Sequence, residues 1–146
     1  MIRTRRYAPL LSAALLLPLA GAACADGIQA GLWKVTTRPE VAGNAAAPQV
    51  SMRCLSAEQA GNIDKTFSPE TRTQNSTCER IEHEVTATRL RWRMKCTGQM
   101  AMDVTGAFDF DTPQHYSAEI TTIASFGGQY MNSRVAIEGE HVGACP

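Results

Sequence analysis

Apolar and polar residues alternate along most of this chain with the two-residue period of a half-buried β-strand, and the alternation restarts seven times. Gly31 to Thr37 puts Trp33 and Val35 on one face and Lys34 and Thr36 on the other. Val50, Met52 and Cys54 alternate with Ser51 and Arg53, which predicts a second strand with Cys54 turned inward. Ile81, His83 and Val85 share one face of a third run, and Leu90, Trp92, Met94 and Cys96 share one face of a fourth. Met100, Met102, Val104, Gly106, Phe108 and Phe110 form the longest strict alternation. A sixth strand carries Tyr116, Ala118 and Ile120, and a seventh presents Met131, Val135 and Ile137 inward.

The connections are equally readable. Pro39 to Pro48 has neither period and predicts a mobile surface connection. Ser56, with Gln59 three positions on and Gly61-Asn62 as a stop, predicts one capped helical turn. The polar stretch from Asp64 to Thr77 reads as a loop fastened by Cys78. One hairpin register buries Ile81 against Met94 and Val85 against Leu90, and it sets Glu84 against Arg91 and Glu82 against Arg93 outside. The fold expected is all-β: an antiparallel meander of about seven strands, forming an open barrel or strongly curved sheet with one short helix and two disulfides.

Residues 1–25 change the picture of where this domain works. Arg3, Arg5 and Arg6 precede an apolar run from Ala8 to Ala20 and the small residues Gly21 to Ala23, the layout of a secretory signal peptide. The run is short of the ~20 apolar residues that a spanning helix needs. Cleavage after Ala25 competes with lipidation of Cys24, and either route leaves a single domain over residues 26–146. Cys54, Cys78, Cys96 and Cys145 then remain, an even set in an exported chain, which predicts two structural disulfides. Cys54 with Cys78 and Cys96 with Cys145 is the favoured pairing, and Cys78 with Cys96 is its main rival.

Charge and motifs narrow the chemistry. Without the leader's three arginines the domain carries 11 basic and 14 acidic residues, a net −3, which offers nucleic acid no attractive field. Arg89, Arg91, Arg93 and Lys95 recur every second residue, a possible anion-binding face that Glu82 and Glu84 would partly neutralise. Trp33, Met52, Trp92, Met94, Met100, Met102 and Phe108 form a candidate ligand-facing interior. Met100 and Met102, with His83, are the weaker alternative of a soft-metal site such as Cu(I). No Gly-x-Ser-x-Gly, His-Glu-x-x-His or phosphate-loop motif is present. No catalytic residue is nominated and no cofactor is expected.

Four features in order carry a resemblance: Gly31-Leu32-Trp33 opening the first strand, Cys54-Leu55-Ser56 before the short helix, Trp92 ahead of Cys96, and the closing Gly143-Ala144-Cys145-Pro146. Together they resemble the bacterial exported family called domain of unknown function 3617. The resemblance implies a Gram-negative periplasmic or envelope-associated protein and transfers no activity. Where family members carry a Met- and Pro-rich stretch after the first strand, this chain has the Ala-rich segment Glu40 to Pro48. The leading expectation is a noncatalytic module that binds a small apolar ligand or an envelope partner. Metal handling and a small hydrolase stand behind it.

Overall fold

The computed structural model describes residues 27–70 and 76–146, and the leader expected over residues 1–25, with Cys24, lies outside them. Strands β1 (Gly31–Val41), β2 (Asn44–Ala45) and β3 (Gln49–Leu55) come first, followed by helices α1 (Ala57–Ala60) and α2 (Ile63–Phe67). Strands β4 (Ser76–Val85), β5 (Arg89–Gly98), β6 (Ala101–Thr112), β7 (His115–Phe126) and β8 (Gln129–Gly143) complete the chain. β4 to β8 form a meander in which each strand pairs antiparallel with the next, and β8 then pairs with β1. The other edge of β1 holds β3 and the short β2. The result is one open antiparallel sheet among the described residues, with β3 and β4 as its free edges.

The predicted alternation of β5 and β6 is what builds the core. Leu90, Trp92, Met94 and Cys96 are all buried, as are Phe108 and Phe110, and Tyr116 and Ala118 of β7 join them. Trp33 of β1 is fully enclosed and donates its indole N–H to the Gln29 carbonyl at 3.0 Å. The capping box forms as its sequence requires: the Ser56 hydroxyl accepts from Gln59 N, and Gln59 Oε1 accepts from Ser56 N at 3.0 Å. Such a cap contributes about 1 kcal/mol.

Four expectations need correction. The segment after Gly61 is not all loop: Asn62 accepts a hydrogen bond from Lys65 N and starts α2, whose Phe67 ring packs 5.1 Å from Tyr116 and 5.5 Å from Phe108. The stretch after Pro39 continues β1 to Val41 and turns through Ala42 and Gly43, both at positive φ, into β2. In β3 the parity is reversed. Ser51 and Arg53 lie opposite Val35 and Trp33 on the inner face, while Met52 and Cys54 lie opposite Lys34 and Leu32 on the outer one. Leu55 sets that parity, because directly opposed residues share a face and Leu55 is the β3 side chain that the core encloses.

The disulfides are the fourth. Cys54 joins Cys145 and Cys78 joins Cys96, in place of Cys54 with Cys78 and Cys96 with Cys145. The hairpin keeps the predicted register from Glu82 to Val85, but an irregularity at Ile81 shifts it by one residue, so Arg80 instead of Ile81 stands opposite Met94, and Ile81 and Val85 are exposed instead of buried. That shift sets Cys78 directly opposite Cys96. Cys54, on the outer face of an edge strand, is left beside the tail that carries Cys145.

Candidate functional site

Val35 of β1, Arg53 of β3, Trp92 of β5, Val104 and Phe108 of β6, Tyr116 and Ile120 of β7 and Ile137 of β8 line one groove of about 500 Å³. Side chains from nearly the whole width of the sheet meet there, so the sheet curls and the groove is its concave face. Phe67, Ser68 and Pro69 close one side of it. The volume falls in the range of roughly 300–1,000 Å³ typical of small-molecule sites.

Two glycines make the groove possible. Trp92 is directly opposite Gly106, and a Cβ there would lie 2.3 Å from the indole ring. Tyr116 is directly opposite Gly139, where a Cβ would lie 2.0 Å from the phenol ring. Each ring therefore lies down on the backbone of the next strand and forms floor instead of filler. Phe67, Phe108 and Phe110 pack against one another and against Tyr116 with ring centroids 5.1 to 6.4 Å apart. The Trp92 Nε1 donor is buried without a hydrogen-bond partner among the described residues. Burial pushes the Tyr116 hydroxyl pKa up, and the nearby Arg53 charge partly opposes it.

Arg53 is the one charged side chain lining the groove among the described residues. Its guanidinium carbon sits 5.7 Å from the Phe67 ring centroid, a cation–π contact. No carboxylate of the described residues pairs with it, since the neighbouring Glu58 is engaged by Lys65 at 3.2 Å.

Of the seven residues proposed as a ligand-facing interior, Trp92 and Phe108 line the groove. Trp33 and Met94 are enclosed in the core, and Met102 packs partly buried against it. Met52 is on the outer face and Met100 lies at the β5–β6 turn, both exposed, as is Met131. Parity explains Met52, and the end of β5 at Gly98 explains Met100.

The suggested soft ligands do not converge. Met102 lies opposite Cys96, whereas His83 lies opposite Trp92 on the far side of β5, about 13 Å along the strand. His83 Nε2 instead sits 2.8 Å from Asp64 Oδ1 and ties α2 to the β4 edge, with Arg80 at 3.5 Å. Burial raises the Asp64 pKa, but hydrogen bonds from Ser68 and His83 and the charges of His83 and Arg80 outweigh it and hold the carboxyl below its ordinary value. Among the described residues no cluster of His, Cys, Asp and Glu could hold a metal ion.

The cation row lies on the convex face and is matched from both sides. Arg93 meets Asp103 at 2.7 Å and Glu82 at 3.1 Å, Arg89 and Arg91 share Asp109, and Lys95 stands between Glu79 and Asp103 in register. Pairs from Lys34 to Glu140, Arg38 to Glu138 and Arg134 to Glu119 continue the pattern across β1, β8 and β7.

Val35, Val104, Tyr116, Ile120 and Ile137 line the groove from positions that the alternation turns inward but that lie outside the seven proposed; Arg53, hidden by the apparent Val50-Met52-Cys54 alternation, and Phe67, hidden in a polar stretch, have no such signal. The Asn62 cap was the available sign of α2. Among the described residues no helix is long and apolar enough to cross a membrane. No curated protein and no solved structure matches the chain. One family model does, over residues 28–145, and it spans the whole sheet, both disulfides and the groove: the chain belongs to the protein family of unknown function DUF3617.

Proposed function

We propose that this protein is an exported, noncatalytic binding module that holds a small apolar ligand on the concave face of its sheet. The observation that carries the reading is the groove of about 500 Å³ floored by Trp92 and Tyr116, each lying on a cross-strand glycine. Aromatic side chains laid flat supply broad apolar contact with little conformational freedom to lose. The signal-like leader and two disulfides support residence in an oxidising compartment, the periplasm, after cleavage at Ala25 or, in the competing route, lipidation at Cys24.

Titration of the oxidised protein with an apolar naphthalene dye tests this. Micromolar binding is expected, and Val104→Trp, which fills the groove, should weaken it at least tenfold while the circular dichroism spectrum stays unchanged. Binding that survives Val104→Trp with the fold intact contradicts the reading.

A second reading, docking on an envelope partner, draws on the β7–β8 hairpin tip. Residues 121–133 contain no charge, and Ile123, Phe126, Tyr130 and Met131 are each more than half exposed there. Contiguous exposed apolar side chains mark interaction surfaces. Phe126→Ser with Tyr130→Ser should release the protein from isolated envelope fractions if this surface docks. Unchanged retention counts against it.

A further inference from the structure

We propose that the groove takes a single-chain amphiphile with an anionic head, a fatty carboxylate, whose chain lies along the aromatic floor and whose head meets Arg53 at the rim. This deepens the groove reading and rests on it.

Charge complementarity selects the head group. On the convex face, cations of β1, β5 and β8 are met by carboxylates of neighbouring strands. Arg53 is different: it projects from the edge strand β3 to the inner face, lines the groove, and has no acidic partner among the described residues. Its guanidinium is steadied over the Phe67 ring, which leaves the planar donor fork available to a carboxylate. Ser51 stands two residues along the same strand face and lines the groove with Arg53.

Beyond this corner Val35, Val104, Ile120 and Ile137 line the groove over the two rings; Thr37 also lines it, and the Thr66 and Ser68 hydroxyls beside Phe67 are already donated to Gln59 O and Asp64 Oδ1. One end that favours an anion and a remainder that favours hydrocarbon describe an amphiphile rather than a uniformly apolar guest. The volume suits one chain. A cationic head would be repelled at the same corner, and an uncharged one would forgo the charge-assisted bond.

Trp33 and Trp92 are the chain's two tryptophans, and Trp92 lines the groove, so intrinsic fluorescence reports occupancy. The oxidised protein is titrated with dodecanoate and with dodecanol at pH 8 and low ionic strength. Dodecanoate should bind about tenfold more tightly or better. Arg53→Gln should bring the dodecanoate-to-dodecanol affinity ratio to about one, and Arg53→Lys should keep part of the preference. With the unmodified protein, added salt should weaken dodecanoate binding and leave dodecanol binding unchanged. Each further methylene should tighten binding about fourfold until the groove is filled.

Equal affinity for the two probes, a preference that survives Arg53→Gln, or salt-independent dodecanoate binding overturns the head-group assignment and leaves the groove reading standing. Failure of both probes to bind overturns the groove reading itself.

Discussion

Trp92 lies across Gly106, its directly opposed neighbour on β6, with no room for even a methyl group between them. Gly106→Ala must therefore lift the indole into the groove. Overpacking of this kind costs about 1–3 kcal/mol, and the lifted ring also occupies ligand space. Urea denaturation should show the loss of stability, and dye binding should fall with it. A variant as stable as the parent and equally able to bind would show that the ring does not depend on the glycine.

The same logic applies at Gly139 beneath Tyr116, where the approach is closer still. Gly139→Ala is expected to destabilise at least as much as Gly106→Ala. Pairing it with Tyr116→Leu should recover part of the loss, because the clash is with the ring. Absence of recovery in that double variant would place the cost elsewhere in β8.

The two disulfides differ in the length of chain they constrain. Cys54–Cys145 spans 91 residues and Cys78–Cys96 spans 18. By loop-closure entropy their removal costs about 4–5 and about 3 kcal/mol respectively. Replacing Cys54 and Cys145 together by alanine should lower the urea midpoint more than replacing Cys78 and Cys96. The reverse order would mean that the hairpin bridge holds the edge strand by more than chain entropy.

Two groups set opposite pH limits. A hydrogen bond to Asp111, 2.6 Å away, raises the His115 pKa above its ordinary 6.5 against a smaller loss from burial, with Glu138 adding to the rise. A folded-state value above the unfolded one means that this contribution is complete below pH 6.5 and is lost as pH rises through the raised value. Asp64 behaves conversely. Its carboxyl is held below 3.8, so its contribution is present above that pH and disappears as pH falls through the lowered value. Melting temperature should decline above pH 6.5 in the parent and less so in His115→Gln. Hydrogen-exchange protection factors across α2, taken against the intrinsic rate at each pH, should fall in strong acid and, at neutral pH, in Asp64→Asn. Identical pH profiles for parent and His115→Gln would contradict the assignment.

The sequence carried the sheet because β5 and β6 bury one face completely. Leu90, Trp92, Met94, Phe108 and Phe110 leave no ambiguity of parity, and the Glu82 to Val85 register followed from opposing them. The edges were less legible. In β3, Val50 and Met52 look like an inner face, but an edge strand tolerates apolar residues outside, and Leu55 decided the parity through a contact that no local period contains. The irregularity at Ile81 is likewise silent in the alternation, and that one residue decided the disulfide pairing. Arg53 could not have been identified as a groove residue before the parity of β3 was known. The flooring of the groove by Trp92 and Tyr116 depends on Gly106 and Gly139 standing opposite them, which becomes visible once strand registers are fixed.

Methyl NMR of the isoleucine- and valine-labelled protein titrated with dodecanoate tests the occupancy of the concave face most directly. Saturable shifts and ligand contacts are expected at Val35, Val104, Ile120 and Ile137, with Ile81, Val85 and Ile123 unmoved. Shifts confined to Ile123 at the hairpin tip, or none at all, would contradict that occupancy.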